Sequence, residues 1–288
     1  MKPPYVTEEY ICNFIQQAIK EDIGEGDHSS LSTIPAELTG RARLQIKENG
    51  IIAGLELTRE IFNKIDPLLD VNIFKTDGDQ VTAGDIALEV TGPARSILGA
   101  ERLVLNCMQR MSGIASYTAH LCKLIAGTNA KILDTRKTTP NLRPLEKWAV
   151  TIGGGINHRF ALYDMIMLKD NHIDYSGGIT QALKSAHDYL KFTGKKLEIE
   201  IETRNLGEVK EVLKAGGADV IMLDNMDPST IKEAVKLIAG RMKTEASGGI
   251  TEEKIREIAE TGVDFISVGA LTHSVKSLDM SLKAEIAK

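Results

Sequence analysis

A chain of 288 residues and 31.4 kDa with 42% apolar residues can bury one large core, or a small domain beside a barrel-sized one. A formal net charge of -5 and a pI of about 5.8 argue against a nucleic-acid partner, which usually meets a basic face. No run of about 18 apolar residues suggests a membrane span, the opening "MKPPYVTEEY" has no signal-peptide core, and Cys12, Cys107 and Cys122 lack disulfide or zinc spacing, so a cytoplasmic protein without a membrane partner is expected.

In chain order, "TEEYICNFIQQAIK" places Ile11, Phe14, Ile15, Ala18 and Ile19 at helical spacing and predicts an amphipathic helix. The segments "RARLQIKENGIIAG" and "DVNIFKTDGDQVTAGDIALEVTG" read as short strands with Gly and Asp turns, which makes the first part α+β. A long helical stretch from about Ala94 to Ala126, expected to break near Gly113, leads into the second part.

Six short apolar runs follow: "AKILDT", "DMIMLKD", "LEIEIET", "DVIMLDN", "MKTEASGG" and "DFISVGAL". The last four begin at 197, 219, 242 and 264, with amphipathic helices between them, one opened by Asp227 as N-cap and Pro228 at the first helical position. Apolar strands alternating with helices imply a parallel sheet, and short equal repeats favour a barrel. Two strands of a full eight are not evident. The expected fold class is therefore α/β: an N-terminal α+β domain over 1–112, with a C-terminal helix over 275–288 packing back on it, then an irregular or incomplete TIM-like barrel over 113–274.

Nearly every predicted strand ends in a chemically active group: Asp134, Thr135, Arg136 and Lys137 after the first, Lys169 after the second, Glu200 and Glu202 in the third, and Asp224 after the fourth. In parallel α/β barrels this C-terminal rim builds the active site. The small residues Ser247, Gly248 and Gly249, then Ser267, Gly269 and Ala270, suit a phosphate held by backbone N–H groups, with His273 either touching it or capping a helix. Between 136 and 159, five cations (Arg136, Lys137, Arg143, Lys147, Arg159) stand against the single acid Glu146, so a small polyanion is expected there. A Schiff-base role for Lys169 fits poorly, because the lysine lies among Asp170, Asn171 and His172 instead of in an apolar pocket.

The 40-residue block from Asp134 to Ile173, with "EDIGEGD", "ERLVLNCMQRMSGIA", "EIEIE", "MLDN" and "ASGGI", resembles the quinolinate phosphoribosyltransferase family over nearly the whole chain. The resemblance implies an N-terminal α/β domain joined to an irregular barrel in a homodimer. It implies transfer of phosphoribose from phosphoribosyl pyrophosphate to quinolinate with loss of CO2, giving nicotinate mononucleotide; the alternative is a related phosphoribosyltransferase acting on a different pyridine or azole. Carried over by resemblance, Arg136, His158, Arg159 and Lys169 face the quinolinate carboxylates, joined by Arg102 from the partner subunit. Lys137 and Lys169 reach pyrophosphate. Glu200 and Asp224 hold Mg²⁺, directly or indirectly, and favour positive charge at the ribose, with Glu202 a supporting ion pair and Asp134 an internal strut. Asn141 stands where relatives usually have glycine, and asparagine tolerates the left-handed backbone expected there.

Overall fold

In the computed structural model, which describes residues 2–285, the chain forms α1 (Glu8–Asp22), α2 (His28–Thr33), β1 (Thr39–Ile46), β2 (Gly50–Ile51), α3 (Leu55–Ile65), β3 (Asp70–Ile73), β4 (Gln80–Val81), β5 (Ile86–Pro93) and α4 (Ala94–Leu124). There follow β6 (Lys131–Leu133), α5 (Arg143–Ile152), β7 (Ile166–Leu168), α6 (Asp170–Ser176), α7 (Ile179–Thr193), β8 (Ile199–Thr203), α8 (Leu206–Ala215), β9 (Val220–Asp224), α9 (Pro228–Ile238), β10 (Lys243–Ser247), α10 (Glu252–Glu260), β11 (Phe265–Ser267), α11 (Ala270–His273) and β12 (Met280–Glu285).

The chain divides into two compact units. One holds the residues up to Ala119, the segment Thr138–Gly154 and the residues from Thr272 onward. Its sheet runs in the order β12-β1-β5-β3, and in β1 the buried Ala42, Leu44 and Ile46 alternate with partly exposed residues, the period-two pattern of a one-faced strand. The helix expected over 275–288 is absent from the described residues. Met280 and Leu282 are buried in alternation with Ser281 and Lys283, and β12 pairs antiparallel with β1 from Arg41↔Glu285 to Ile46↔Met280. Alternation and an open strand edge outweigh helix propensity there; residues 286–288 lie outside the described chain.

The break expected at Gly113 does not occur, and α4 runs through it for 31 residues. A Cβ built on Gly113 would stand 2.2 Å from the Lys276 carbonyl oxygen, so the glycine is there to let the C-terminal chain pass against the helix. In the same unit Asn141 takes φ 66, as expected, and its carbonyl accepts the Tyr10 hydroxyl at 2.9 Å.

The other unit, His120–Lys137 with Gly155–Leu271, contains all six expected parallel strands in one sheet ordered β6-β11-β10-β9-β8-β7. The sheet is not closed by strand hydrogen bonds, so the barrel is incomplete, with Ile156 adding a parallel bridge to Leu133 on one edge. Parallel crossovers bring every strand's C-terminal end to one rim. Asp227 caps α9 by accepting from the N–H groups of Ser229 and Thr230, with Pro228 at the first turn. Among the described residues no helix is long and apolar enough to cross a membrane.

Candidate active site

The β6 and β7 ends supply the cations. Arg136 and Lys137 follow β6, where the Lys137 N–H donates to Thr135 Oγ1 at 3.0 Å. Asp134, fully buried, accepts from Asn157 Nδ2 at 2.6 Å and from the His158 N–H at 2.9 Å. It is thus the strut expected of it, tying the 157–159 loop to the end of β6. On that loop the buried Arg159 lies near Arg136, and burial first and Arg136 second pull the Arg159 pKa down, while Glu200, Asp164 and Glu202 act in the opposite sense. Two neighbouring guanidinium groups, one buried and one half-buried, suit an anion that both can bind.

Lys169, at the end of β7, forms an ion pair with Glu202, whose second oxygen accepts the Asp170 N–H at 3.3 Å. Glu202 is the register partner of the residue after Leu168, level with this rim. Glu200 is different. Its side chain is 0% exposed, and His158 Nε2 donates to it at 2.8 Å and approaches Glu245 at 3.3 Å. The two glutamates share a face, two positions apart on one strand, but Glu200 lies about 7 Å deeper along the strand at about 3.3 Å per residue. Glu202 is thus the carboxylate of β8 that stands at the rim, and Glu200 is buried beneath His158.

Register also separates the expected metal pair. Glu200 pairs with Val220, and Asp224 lies four residues farther on, about 13 Å along the strand. One ion cannot be ligated directly by both. The groups that do converge near Glu200 are His158, Glu200 and Glu245, whose nearest ligand atoms lie within 4.8 Å of one another. A buried set containing an imidazole nitrogen suits Mg²⁺ poorly, since that ion takes oxygen ligands and keeps several waters. Asp224, half-buried at the rim, offers the appropriate oxygens.

Asp224 Oδ2 accepts from Asn225 Nδ2 at 2.8 Å, and Asn225, at φ 53, donates its backbone N–H to the Ser247 carbonyl at 2.8 Å. Gly248 makes this possible: a Cβ there would stand 2.3 Å from Asn225 Oδ1, on a backbone of φ +87. Gly248→Ala is expected to cost about 2–3 kcal/mol, whereas Gly249→Ala, with open space around its Cβ but φ +60, should cost only about 1 kcal/mol. Urea denaturation of the two variants reads the difference. Ser247 is the register partner of Asp224, and Ser267 that of Leu133, so both serines and the following Gly248, Gly249, Gly269 and Ala270 stand at the same rim.

Other expected residues fall elsewhere. Arg143 and Lys147 belong to the first unit, where Arg143 Nε donates to Thr138 Oγ1 at 2.9 Å and Lys147 is wholly buried in α5. Also in that unit, His273 Nδ1 lies 2.6 Å from Ser274 Oγ, and Arg102, 67% exposed on α4, donates to Glu101 at 3.1 Å. His172 accepts the Lys169 N–H and caps α6. Glu245 was not foreseen, although an acid inside a buried parallel strand was its available signal, since such strands are otherwise apolar.

Comparison with known proteins places these observations among relatives. Residues 27–112 match the model described as quinolinate phosphoribosyl transferase, N-terminal domain, and residues 114–283 the C-terminal domain of the same family. The chain is 48% identical to the chloroplastic nicotinate-nucleotide pyrophosphorylase [carboxylating] of Arabidopsis thaliana, over 99% of this chain and 86% of that protein. It is 46% identical to the probable nicotinate-nucleotide pyrophosphorylase [carboxylating] of Bacillus subtilis, over 93% and 91% respectively. The solved structure of the nicotinate-nucleotide pyrophosphorylase from Francisella tularensis superposes with a TM-score of 0.91 at 37% identity, covering 97% of this chain and 98% of that one.

Proposed function

Because the chain belongs to the quinolinate phosphoribosyltransferase family, we propose that it transfers phosphoribose from phosphoribosyl pyrophosphate to quinolinate, releasing pyrophosphate and CO2 and leaving nicotinate mononucleotide for NAD synthesis. It is a pentosyltransferase. The observation that carries the choice of substrate is the neighbouring pair Arg136 and Arg159 at the rim, which supports a ligand with adjacent carboxylates. The names of the relatives favour quinolinate over a different pyridine or azole.

The pyridine nitrogen forms its bond to the ribose anomeric carbon as the bond from that carbon to pyrophosphate breaks. Positive charge grows at the ribose, and Glu202 is the carboxylate positioned to favour it. Lys169, tethered to Glu202, and Lys137 take up the negative charge of the carboxylate and the departing pyrophosphate. Backbone N–H groups along 247–249 and 267–270 hold the 5′-phosphate. Asp224 would hold Mg²⁺, which would supply positive charge against the departing pyrophosphate. Once alkylated, the ring is a cation; the bond from C2 to its carboxylate breaks, the pair stays on the ring and a proton replaces CO2.

The partner chain we assign is a second copy. Leu98, Arg102 and Asn106 line one exposed stripe of α4, one turn apart, and Arg102 would reach the neighbour's quinolinate. We place the enzyme in the cytoplasm, which suits its three free thiols.

The test of this reading is pyrophosphate release that requires both quinolinate and phosphoribosyl pyrophosphate; release without quinolinate would count against it. Within the site, Glu202→Gln is expected to lower kcat on the order of 10²-fold with little change in melting temperature. Glu200→Gln should chiefly cost stability, about 1–3 kcal/mol, because it disturbs a buried hydrogen-bonded group. Steady-state kinetics beside thermal unfolding separate the two, and a kcat loss confined to Glu200→Gln would reverse the assignment.

A further inference from the structure

The buried pair beneath His158 has no task in the chemistry above. Glu200 and Glu245 are 0% and 1% exposed, come from β8 and β10, and converge on the same ring nitrogen, Nε2. The other ring nitrogen faces the opposite way, and the Arg159 N–H donates to Nδ1 at 2.7 Å. Asp134 holds the His158 backbone N–H, and the group at Nδ1 belongs to the residue that carries the anchoring guanidinium.

Burial pulls the imidazole pKa down, and the two glutamates raise it against that pull. A proton on Nδ1, however, would set two N–H groups against each other, because the Arg159 N–H points at that nitrogen. The geometry therefore keeps Nδ1 an acceptor and the ring proton on Nε2, facing the two carboxyl groups, each of which buries an Oε1 that no protein group bonds.

We propose that Glu245 is a positioning residue for the carboxylate anchor: with Glu200 it grips Nε2–H of His158, leaves Nδ1 to accept the Arg159 N–H, and so sets where the Arg159 guanidinium stands. This rests on the reading of Arg159 as a quinolinate-binding residue. His158 then acts through Arg159, with both of its ring nitrogens held by protein partners.

Glu245→Gln, and the shorter acid in Glu245→Asp, should each raise the KM for quinolinate about tenfold or more, because small displacements of a binding group carry large kinetic penalties. In both variants kcat and the KM for phosphoribosyl pyrophosphate should stay within about twofold of the unaltered enzyme. Nitrogen-15 NMR of histidine-labelled protein at neutral pH should show His158 in the Nε2–H form, and Glu245→Gln should erode that preference. An unchanged quinolinate KM in both variants would overturn the proposal, as would a uniform loss in every kinetic parameter or a His158 proton on Nδ1. If the unaltered enzyme makes no nicotinate mononucleotide, the functional reading fails, while the NMR spectrum still judges the cluster.

Discussion

Nicotinate offered in place of quinolinate should be used roughly 30- to 4,000-fold less efficiently in kcat/KM, the ratio that a loss of about 2 to 5 kcal/mol represents. Nicotinate keeps one carboxylate and lacks the one beside the ring nitrogen. The cations arranged for the missing group would lose the carboxylate they are placed to bind: the Arg159 pKa is already pulled down by burial and by Arg136, so Arg159 has little water to fall back on. The loss should appear in kcat/KM, and direct calorimetry should show nicotinate binding weakly. Comparable turnover of the two acids would mean that Arg136 and Arg159 do not read the dicarboxylate.

Arg102→Ala and Lys137→Ala should each be nearly inactive alone and should rescue one another when mixed. If Arg102 serves the neighbour's site, a heterodimer of the two variants holds one site with both lesions and one with neither. Unfolding and refolding an equal mixture gives random pairing, which restores roughly a quarter of the unaltered sites. Within its own chain Arg102 meets Glu101 at 3.1 Å on an exposed helix face, a contact of small energetic weight. Subunit exchange without recovered activity would confine Arg102 to its own chain.

The rim was legible in the sequence because parallel strands announce themselves as short apolar runs and their chemistry clusters at one end. All six runs form strands, Asp134 is the strut it was expected to be, and Asn141 takes its left-handed turn. Partners were not legible. Alternation puts Glu200 and Glu202 on one face and chain direction puts Glu202 nearer the C-terminal rim, but only the folded sheet shows that Glu202 meets Lys169 while Glu200 meets His158. Gly113 misled for a related reason: local propensity reads a glycine as a break, whereas its neighbour Lys276 is remote in sequence and close in space. The β12 strand is another long-range outcome, decided by the open edge of β1.

The most direct test of the whole account uses quinolinate labelled with carbon-14 in its 2-carboxylate, mixed with phosphoribosyl pyrophosphate, Mg²⁺ and the enzyme. The account predicts labelled CO2 and unlabelled nicotinate mononucleotide in equal amounts, both absent when either substrate is left out. Nucleotide that retains the label, or CO2 released without nucleotide, would contradict it.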